Sequence, residues 1–357
     1  MQRLLSVLLL CGSMFAAAPL RLGIVGLEHG HVTGFLNRGL KRPDVKLVGV
    51  AEANTEIAAR YVKQFHLDPA IIYSSIEEML EKAKPDAVAT MTNTFEHKHV
   101  VEVCAKYGVH VMMEKPLAVS NEHARAIAEA ARKGHIQVLV NYETTWYPNN
   151  AILWSEIKEK KSLGEIRKAV IRDGHEGPKE IHVQPEFFAW LTDPVKNGAG
   201  ALFDFGCYGA NIMTWLMDNQ RPQTVTAVTQ QLKPEIYAHV DDDATIIVTY
   251  PRAQAVIQAS WNWPYSRKDL DIYGQTGYIQ TIAGKAARVR IGKSEEETRT
   301  ADPVAAPYDE PLSYLGAVVR GEIKPSGMTG LDNNMIVTEI LDAARKSAQT
   351  GRTIRLQ

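Results

Sequence analysis

From Leu20 to Val140, short apolar runs alternate with stretches whose apolar positions recur at helical spacing. Leu20–Val25, Val45–Ala51, Ile71–Tyr73, Ala87–Thr92, His110–Met113 and Ile136–Val140 read as strands, each a brief apolar run bounded by polar or turn residues. Helices fall between them. One spans His31–Leu40. The next presents Ile57, Ala58, Tyr61, Val62 and Phe65 on one face, with Asn54 placed to accept from the free N–H groups of its first turn. Ser75-Ile76-Glu77-Glu78 has the spacing of a capping box, in which the serine and the glutamate each satisfy a backbone N–H at the helix start. The helix through Val100 and Cys104 and the helix Ala124–Lys133 stop at Gly108 and Gly134, where glycine turns the chain without a Cβ penalty. Repeated strand–helix units of this size predict an α/β fold with a parallel, doubly wound sheet.

The texture changes after Tyr142. Ala151–Lys160 predicts a surface helix, Ile166–Ile171 a strand and Ala201–Leu216 a helix, with a polar irregular segment at Gly174–Pro185. Thr224–Gln231, Ala244–Tyr250, Ala255–Trp261, Asp269–Tyr273 and Tyr278–Ile282 are β-rich with no helix between them, so they predict a mostly antiparallel sheet. Leu331–Ala348 predicts a last helix, with Thr353–Leu356 as a final strand. The expected division is a signal peptide at 1–18, a nucleotide-binding domain at 19–141 and an α+β substrate and oligomerisation domain at 142–357.

The N-terminus carries the first of these. Met1-Gln2-Arg3, an apolar run from Leu4 to Leu10 and Ala16-Ala17-Ala18 follow the order of a Sec signal peptide cleaved after Ala18. The run is shorter than the ~20 apolar residues a membrane span needs. This places the protein in the periplasm or outside the cell, whereas a start at Met14 would leave it in the cytoplasm. A formal net charge of -1 without a long basic run excludes nucleic acid as a partner, since phosphate binding needs a Lys/Arg surplus on one face. Cys11, Cys104 and Cys207 are too few for a disulfide framework.

The candidate chemistry lies at strand ends. Gly26-Leu27-Glu28-His29-Gly30-His31 follows the first strand, where a dinucleotide-binding turn carries Gly-x-Gly-x-x-Gly. Gly26 fits the first glycine, Glu28 and His31 replace the other two, and Gly30 lies next to the third. The helix start still offers N–H groups to an anion, so Gly26, Glu28, His29, Gly30 and His31 are candidate cofactor contacts. Glu52 closes the second strand, where an acid hydrogen-bonds a ribose diol and repels a 2′-phosphate; NAD is favoured over NADP. Thr92 and Asn93 lie where a nicotinamide ribose would.

Glu114-Lys115-Pro116 ends the fifth strand at the carboxyl edge, where open α/β sheets bind ligands. In a continuous helix Asp204 and Tyr208 share one face, and Asn211 extends it. Lys115 facing Asp204 and Tyr208 makes a proton-handling centre, with Tyr142, His175 and Asn211 as further substrate contacts. The histidine pairs His29/His31 and His97/His99 lack the spacing of a recognised zinc site, so no metal is expected.

Leu22-Gly23-Ile24-Val25-Gly26, Glu114-Lys115-Pro116-Leu117, the run from Gly200 through Asp204-Phe205-Gly206-Cys207-Tyr208 and the tail from Ala343 to Arg352 together resemble the Gfo/Idh/MocA oxidoreductase family over nearly all of the mature chain. The resemblance implies a Rossmann domain followed by an open-faced, mostly antiparallel sheet that serves homo-oligomerisation, as a dimer or tetramer. It implies NAD(P) in the first domain, with Glu114, Lys115 and His97 at its edge, and a sugar, cyclitol or related polyol in the cleft. Many members carry His where Tyr208 stands and Asp where Asn211 stands; the tyrosine form resembles the glucose–fructose oxidoreductase branch. The expected activity is hydride transfer between nicotinamide and the substrate, with Lys115 lowering the pKa of the Tyr208 phenol so that it exchanges the hydroxyl proton, and Asp204 orienting the pair. Two alternatives stand beside it. One is an exported glycoside-cleaving enzyme that uses bound NAD as an internal redox relay, which suits a compartment where free NAD(H) is scarce. The other is a non-catalytic sugar-binding protein that has lost its cofactor, supported by the altered glycine turn.

Overall fold

A computed structural model describes residues 18–356, so the segment read as a signal peptide lies outside the described residues apart from Ala18. The first half alternates as its sequence pattern predicts: β1 (Leu20–Val25), α1 (Val32–Gly39), β2 (Val45–Ala51), α2 (Thr55–Phe65), β3 (Ile72–Tyr73), α3 (Ile76–Ala83), β4 (Ala87–Thr90), α4 (His97–Lys106), β5 (His110–Glu114), α5 (Asn121–Gly134) and β6 (Val138–Asn141). The expected caps form. The Asn54 side chain accepts from the N–H groups of Glu56 and Ile57, and Ser75 accepts from Glu78. The strands pair in parallel in the order β3-β2-β1-β4-β5-β6. The order reverses between β1 and β4, and the crevice beyond their carboxyl ends is where such sheets hold ligands.

The second half comprises α6 (Asn150–Trp154), β7 (Ile166–Gly174), α7 (Pro185–Leu191), α8 (Ala201–Asp204), α9 (Gly206–Leu216), β8 (Thr224–Gln230), β9 (Asp243–Thr249), β10 (Gln254–Ser260), β11 (Arg267–Gly274), β12 (Gly277–Ile282), β13 (Ala286–Ile291), β14 (Glu297–Thr300), α10 (Pro311–Val319), α11 (Leu331–Thr350) and β15 (Ile354–Arg355). Its nine-stranded sheet runs β14-β13-β12-β11-β7-β10-β9-β8-β15. It is antiparallel except where β7 meets β10. Burial alternates along β9, as it must when one face of a sheet packs and the other does not. The packed face receives α9 and α11.

Three features depart from the sequence reading. The helix expected over Ala201–Leu216 breaks at Phe205 into α8 and α9, so Asp204 and Tyr208 do not stack on one continuous helix face. The helix expected over Ala151–Lys160 ends at Trp154 and continues as a π turn, Ser155–Glu159. The strands β13 and β14 and the helix α10 have no counterpart in the sequence reading. β14 is polar and mostly exposed, so it lacks an apolar signal. The α10 sequence is nearly all apolar and buried, which hides helical periodicity. Leu312, Leu315 and Val318 of α10 pack in one cluster with Leu22 and Ile24 of β1 and Phe35 of α1, so chain from beyond the second sheet completes the first core. No helix among the described residues is long and apolar enough to cross a membrane.

Candidate active site

β5 delivers Glu114 and Lys115 to the carboxyl edge of the first sheet. The turn that follows is held by His97, whose Nδ1 lies 3.1 Å from the Pro116 carbonyl and 3.3 Å from that of Leu117. Burial drops the His97 pKa to about 4, so the ring is neutral at pH 7 and donates its Nδ1 proton to these carbonyls. His97, expected at the cofactor, therefore shapes the lysine turn.

Lys115 and Asp204 meet there as a buried ion pair. The ammonium donates to a carboxylate oxygen of Asp204 and, at 3.0 Å, to its backbone carbonyl. The other carboxylate oxygen of Asp204 accepts from the Trp261 indole N–H at 2.9 Å. Burial works against charge on both partners, but each outweighs it for the other: the Lys115 pKa ends above its ordinary value and that of Asp204 below. The pair is charged, and it joins the first sheet to the second half of the chain. Trp261 had no assigned partner in the sequence; a tryptophan N–H needs an acceptor when buried, and only the fold shows that Asp204 is the acceptor.

Asp241 sets the position of α8. Its carboxylate accepts from the backbone N–H of Gly200 at 2.8 Å and of Leu202 at 2.7 Å. Burial nevertheless raises its pKa from 3.8 to about 6. Between those two values the native protein holds a proton that the unfolded chain has released, so stability falls as pH rises through that window. The shift corresponds to about 3 kcal/mol. Denaturant midpoints of the wild type minus those of Asp241→Asn are expected to decline between about pH 4 and 6 and to level off above; a difference that rises with pH would contradict this environment for Asp241.

Tyr208 lies against Lys115 through its ring. The ammonium sits 5.2 Å from the Tyr208 ring centroid and 5.6 Å from that of Phe205. Burial, aided by Glu143, Glu114 and Asp204, pushes the phenol pKa well above its ordinary value. This corrects the expected lowering by Lys115: the cation faces the ring and is neutralised by Asp204, so it does not stabilise a phenolate. Tyr142 packs edge-on against Tyr208 at 5.5 Å and is fully buried, its hydroxyl without a partner among the described residues. His175 packs edge-on against Phe205 at 4.9 Å and accepts from the Gly177 N–H, so it borders the cluster. Asn211 does not join it. Its amide donates to the Met328 carbonyl at 2.9 Å, and the side chain is fully buried.

Sequence reasoning missed four polar groups here. Lys268 of β11 lies 5.3 Å from the Tyr208 ring centroid and donates to Glu143 at 2.8 Å; Tyr147 donates to the same carboxylate at 2.6 Å. Asp173 of β7 pairs in register with Lys268, and burial raises its pKa well above normal. Asp173, Lys268, Tyr147 and Tyr208 line a void of about 20 Å³, the size of one water molecule. Separate loops and strands contribute these groups, and no spacing in the sequence links them. A much larger cavity, about 780 Å³, lies elsewhere, between Trp154, Leu216 and Arg252. It contains none of these groups and is not the candidate site.

The dinucleotide turn is tight at Gly26, whose φ is +77° and where a Cβ would stand 2.6 Å from Thr92 Cγ2. Glu28 points away from the turn: one oxygen accepts from both the backbone and side-chain N–H of Asn93, each at 2.8 Å. Its charge is thereby spent on the loop after β4. Glu52 ends β2 as expected, and its two oxygens accept from the Leu27 and Asn54 N–H groups at 2.8 Å. Thr92 bonds Thr90 at 3.0 Å. α7 lies on the turn: Phe187 packs on His29 at 4.6 Å and against Gly30, and Trp190 donates to the Glu28 carbonyl at 3.3 Å. His31 contacts Glu114 at 2.9 Å. The tight turn at Gly26 and the acid at the end of β2 fit a dinucleotide.

Comparison with known proteins agrees. Residues 20–142 match a family model described as "Oxidoreductase family, NAD-binding Rossmann fold", and residues 155–280 match one described as "GFO/IDH/MocA C-terminal domain". The trans-1,2-dihydrobenzene-1,2-diol dehydrogenase of Xenopus laevis is 25% identical over 316 residues, covering 84% of this chain and 89% of its own. That of Bos taurus is 29% identical over 234 residues, covering 65% of each. An aldose-aldose oxidoreductase from Caulobacter crescentus, complexed with glycerol, superposes with a TM-score of 0.80 at 21% identity, covering 95% of this chain and 100% of that one. An inositol dehydrogenase homolog from Azotobacter vinelandii, complexed with NAD+, has a TM-score of 0.80 at 19% identity, covering 95% and 98%. These structural likenesses show the fold.

Proposed function

Because this chain belongs to the Gfo/Idh/MocA family of NAD-binding oxidoreductases, we propose that it is a dehydrogenase of a small polyol (a sugar, a cyclitol or a cyclic diol) in which Lys115 binds the reacting oxygen. The observation that carries this reading is the buried Lys115–Asp204 pair at the carboxyl edge of the first sheet. Bound NAD supplies the hydride chemistry. Glu52 would hold a ribose, the turn from Gly26 to Gly30 the pyrophosphate, and Thr92 and Asn93 the nicotinamide end.

An ammonium has three N–H bonds. Two of those on Lys115 go to Asp204, which leaves one for a substrate oxygen. A fixed cation in a dry site favours negative charge developing on that oxygen and costs no reorganisation as the charge appears. Asp204 keeps Lys115 charged and aimed, and Trp261 keeps Asp204 from turning. Tyr208, held protonated by burial, donates a hydrogen bond to the substrate. Lys268, with one N–H bond on Glu143, offers further donors to polyol hydroxyls.

The test is reduction of NAD+ by the purified protein against a panel of aldoses, inositols and cyclic vicinal diols, read by the absorbance of reduced nicotinamide. Turnover on one class supports the reading; no turnover across the panel, with NAD shown to be bound, would count against it. Tyr208→Phe loses one neutral hydrogen bond, worth about 0.5–1.5 kcal/mol, so kcat/KM should stay within about tenfold of the wild type. A thousandfold loss would return the phenol to the role of base.

A further inference from the structure

The turn after β1 and the end of β5 bring together three groups that hydride transfer does not use. His29, His31 and Glu114 each present a donor atom, and these atoms all lie within 4.8 Å of one another. His31 Nδ1 is 2.9 Å from Glu114 Oε2. We propose that His29, His31 and Glu114 bind a first-row divalent transition-metal ion, with two imidazole nitrogens and one carboxylate oxygen as its protein ligands.

Four observations support this. First, the donor set suits such ions and not Mg²⁺ or Ca²⁺, which prefer oxygen throughout. Second, Glu114 is oriented from behind. Its Oε1 accepts from the Asn141 amide at 2.8 Å, and Asn141 in turn accepts from the Trp146 indole at 2.9 Å. This leaves Oε2 for the cluster, in the way that outer partners orient metal ligands. Third, His29 is fully buried and its Nε2 has no partner among the described residues. His29 Nδ1 accepts from the His31 backbone N–H at 3.1 Å, so coordination through Nε2 moves the ring proton to Nδ1 and replaces that bond. Fourth, the buried Glu114 carboxylate forms no direct ion pair with Lys115, which pairs with Asp204. The His31 side chain, 45% exposed, gives an ion a way in from solvent.

The histidine spacing did not reveal this, because the third ligand comes 83 residues after His31, from another strand. The rival account is a hydrogen-bonded His31–Glu114 pair, with His29 accepting from the His31 N–H and packing against Phe187 and Trp190.

Cobalt(II) titration decides between them. The full chain, stripped with chelator and free of nicotinamide, is titrated with CoCl₂ and followed by visible absorption. The expected result is one equivalent bound, with d–d bands that Zn²⁺ abolishes. His31→Ala removes a half-exposed side chain, and Glu114→Gln is isosteric; each should weaken binding at least tenfold while leaving the circular dichroism unchanged. Absence of d–d bands in the wild type would overturn the proposal. So would equal binding by either folded variant, which would place the ion elsewhere. As NAD is absent, failure here leaves the dehydrogenase reading standing.

Discussion

Lys115→Met is expected to lower kcat/KM by about 10²–10⁴, the range of a lost acid–base or charge-stabilising group, and to destabilise the fold by about 3–5 kcal/mol. Both effects have one cause. Lys115 and Asp204 are each about 95% buried, with side-chain exposures of 5%. Removing the ammonium leaves the Asp204 carboxylate in a dry site with only the Trp261 N–H for company. An uncompensated buried charge costs more than the pair contributes. Adding Asp204→Asn to Lys115→Met removes that charge and should recover most of the stability but none of the activity. Urea midpoints and steady-state kinetics on the single and double variants read the two effects apart. Lys115→Met with wild-type stability would mean that the pair is not buried in solution; full activity in the folded variant would end the assignment of Lys115 to the chemistry.

Gly26→Ala should cost about 2–5 kcal/mol and abolish tight NAD binding. One part is backbone strain, since an L-residue in the left-handed region costs roughly 1–2 kcal/mol, and Gly26 has φ +77°. The other is overpacking, typically 1–3 kcal/mol. The added methyl would stand 2.6 Å from Thr92 Cγ2 and 3.1 Å from the Met91 carbonyl, both on the chain leaving β4. That chain is the other wall of the crevice, so relief of the clash opens the turn that cradles the cofactor. Thr92→Ser removes the Cγ2 methyl. In the Gly26→Ala background it should recover the packing part and not the φ part, a coupling readable in a double-mutant cycle. Calorimetry with NAD+ measures the binding loss. If Gly26→Ala binds NAD+ as the wild type does, the cofactor does not lie against this turn.

The first domain was legible because its signals are local. Apolar runs set the strands, Asn54 and Ser75 started helices as their side-chain chemistry requires, and the position of Gly26 and Glu52 at strand ends follows from counting along a strand–helix unit. Lys115 and Asp204 were also identified as partners, Lys115 from a motif at a strand end and Asp204 from the helical run shared with Tyr208. The second domain was legible only in outline. β14 is polar and exposed, α10 is apolar throughout, and neither pattern declares its element.

What the chain alone determined is the inventory: a doubly wound nucleotide-binding half, a β-rich second half, a lysine at a strand end and an aspartate in a helical run. Tertiary structure decided what those residues do. It broke the helix at Phe205 and turned Asn211 into the core. It placed the Lys115 ammonium over the face of Tyr208 and beside the Asp204 carboxylate, which leaves the phenol protonated. It spent Glu28 on Asn93 and His97 on the Pro116 carbonyl, and it set Glu114 beside His31. The division has a physical reason. Strand, helix and cap preferences act between residues a few positions apart, whereas charge state and hydrogen-bond partnership depend on burial and on atoms that reach a site from distant parts of the chain.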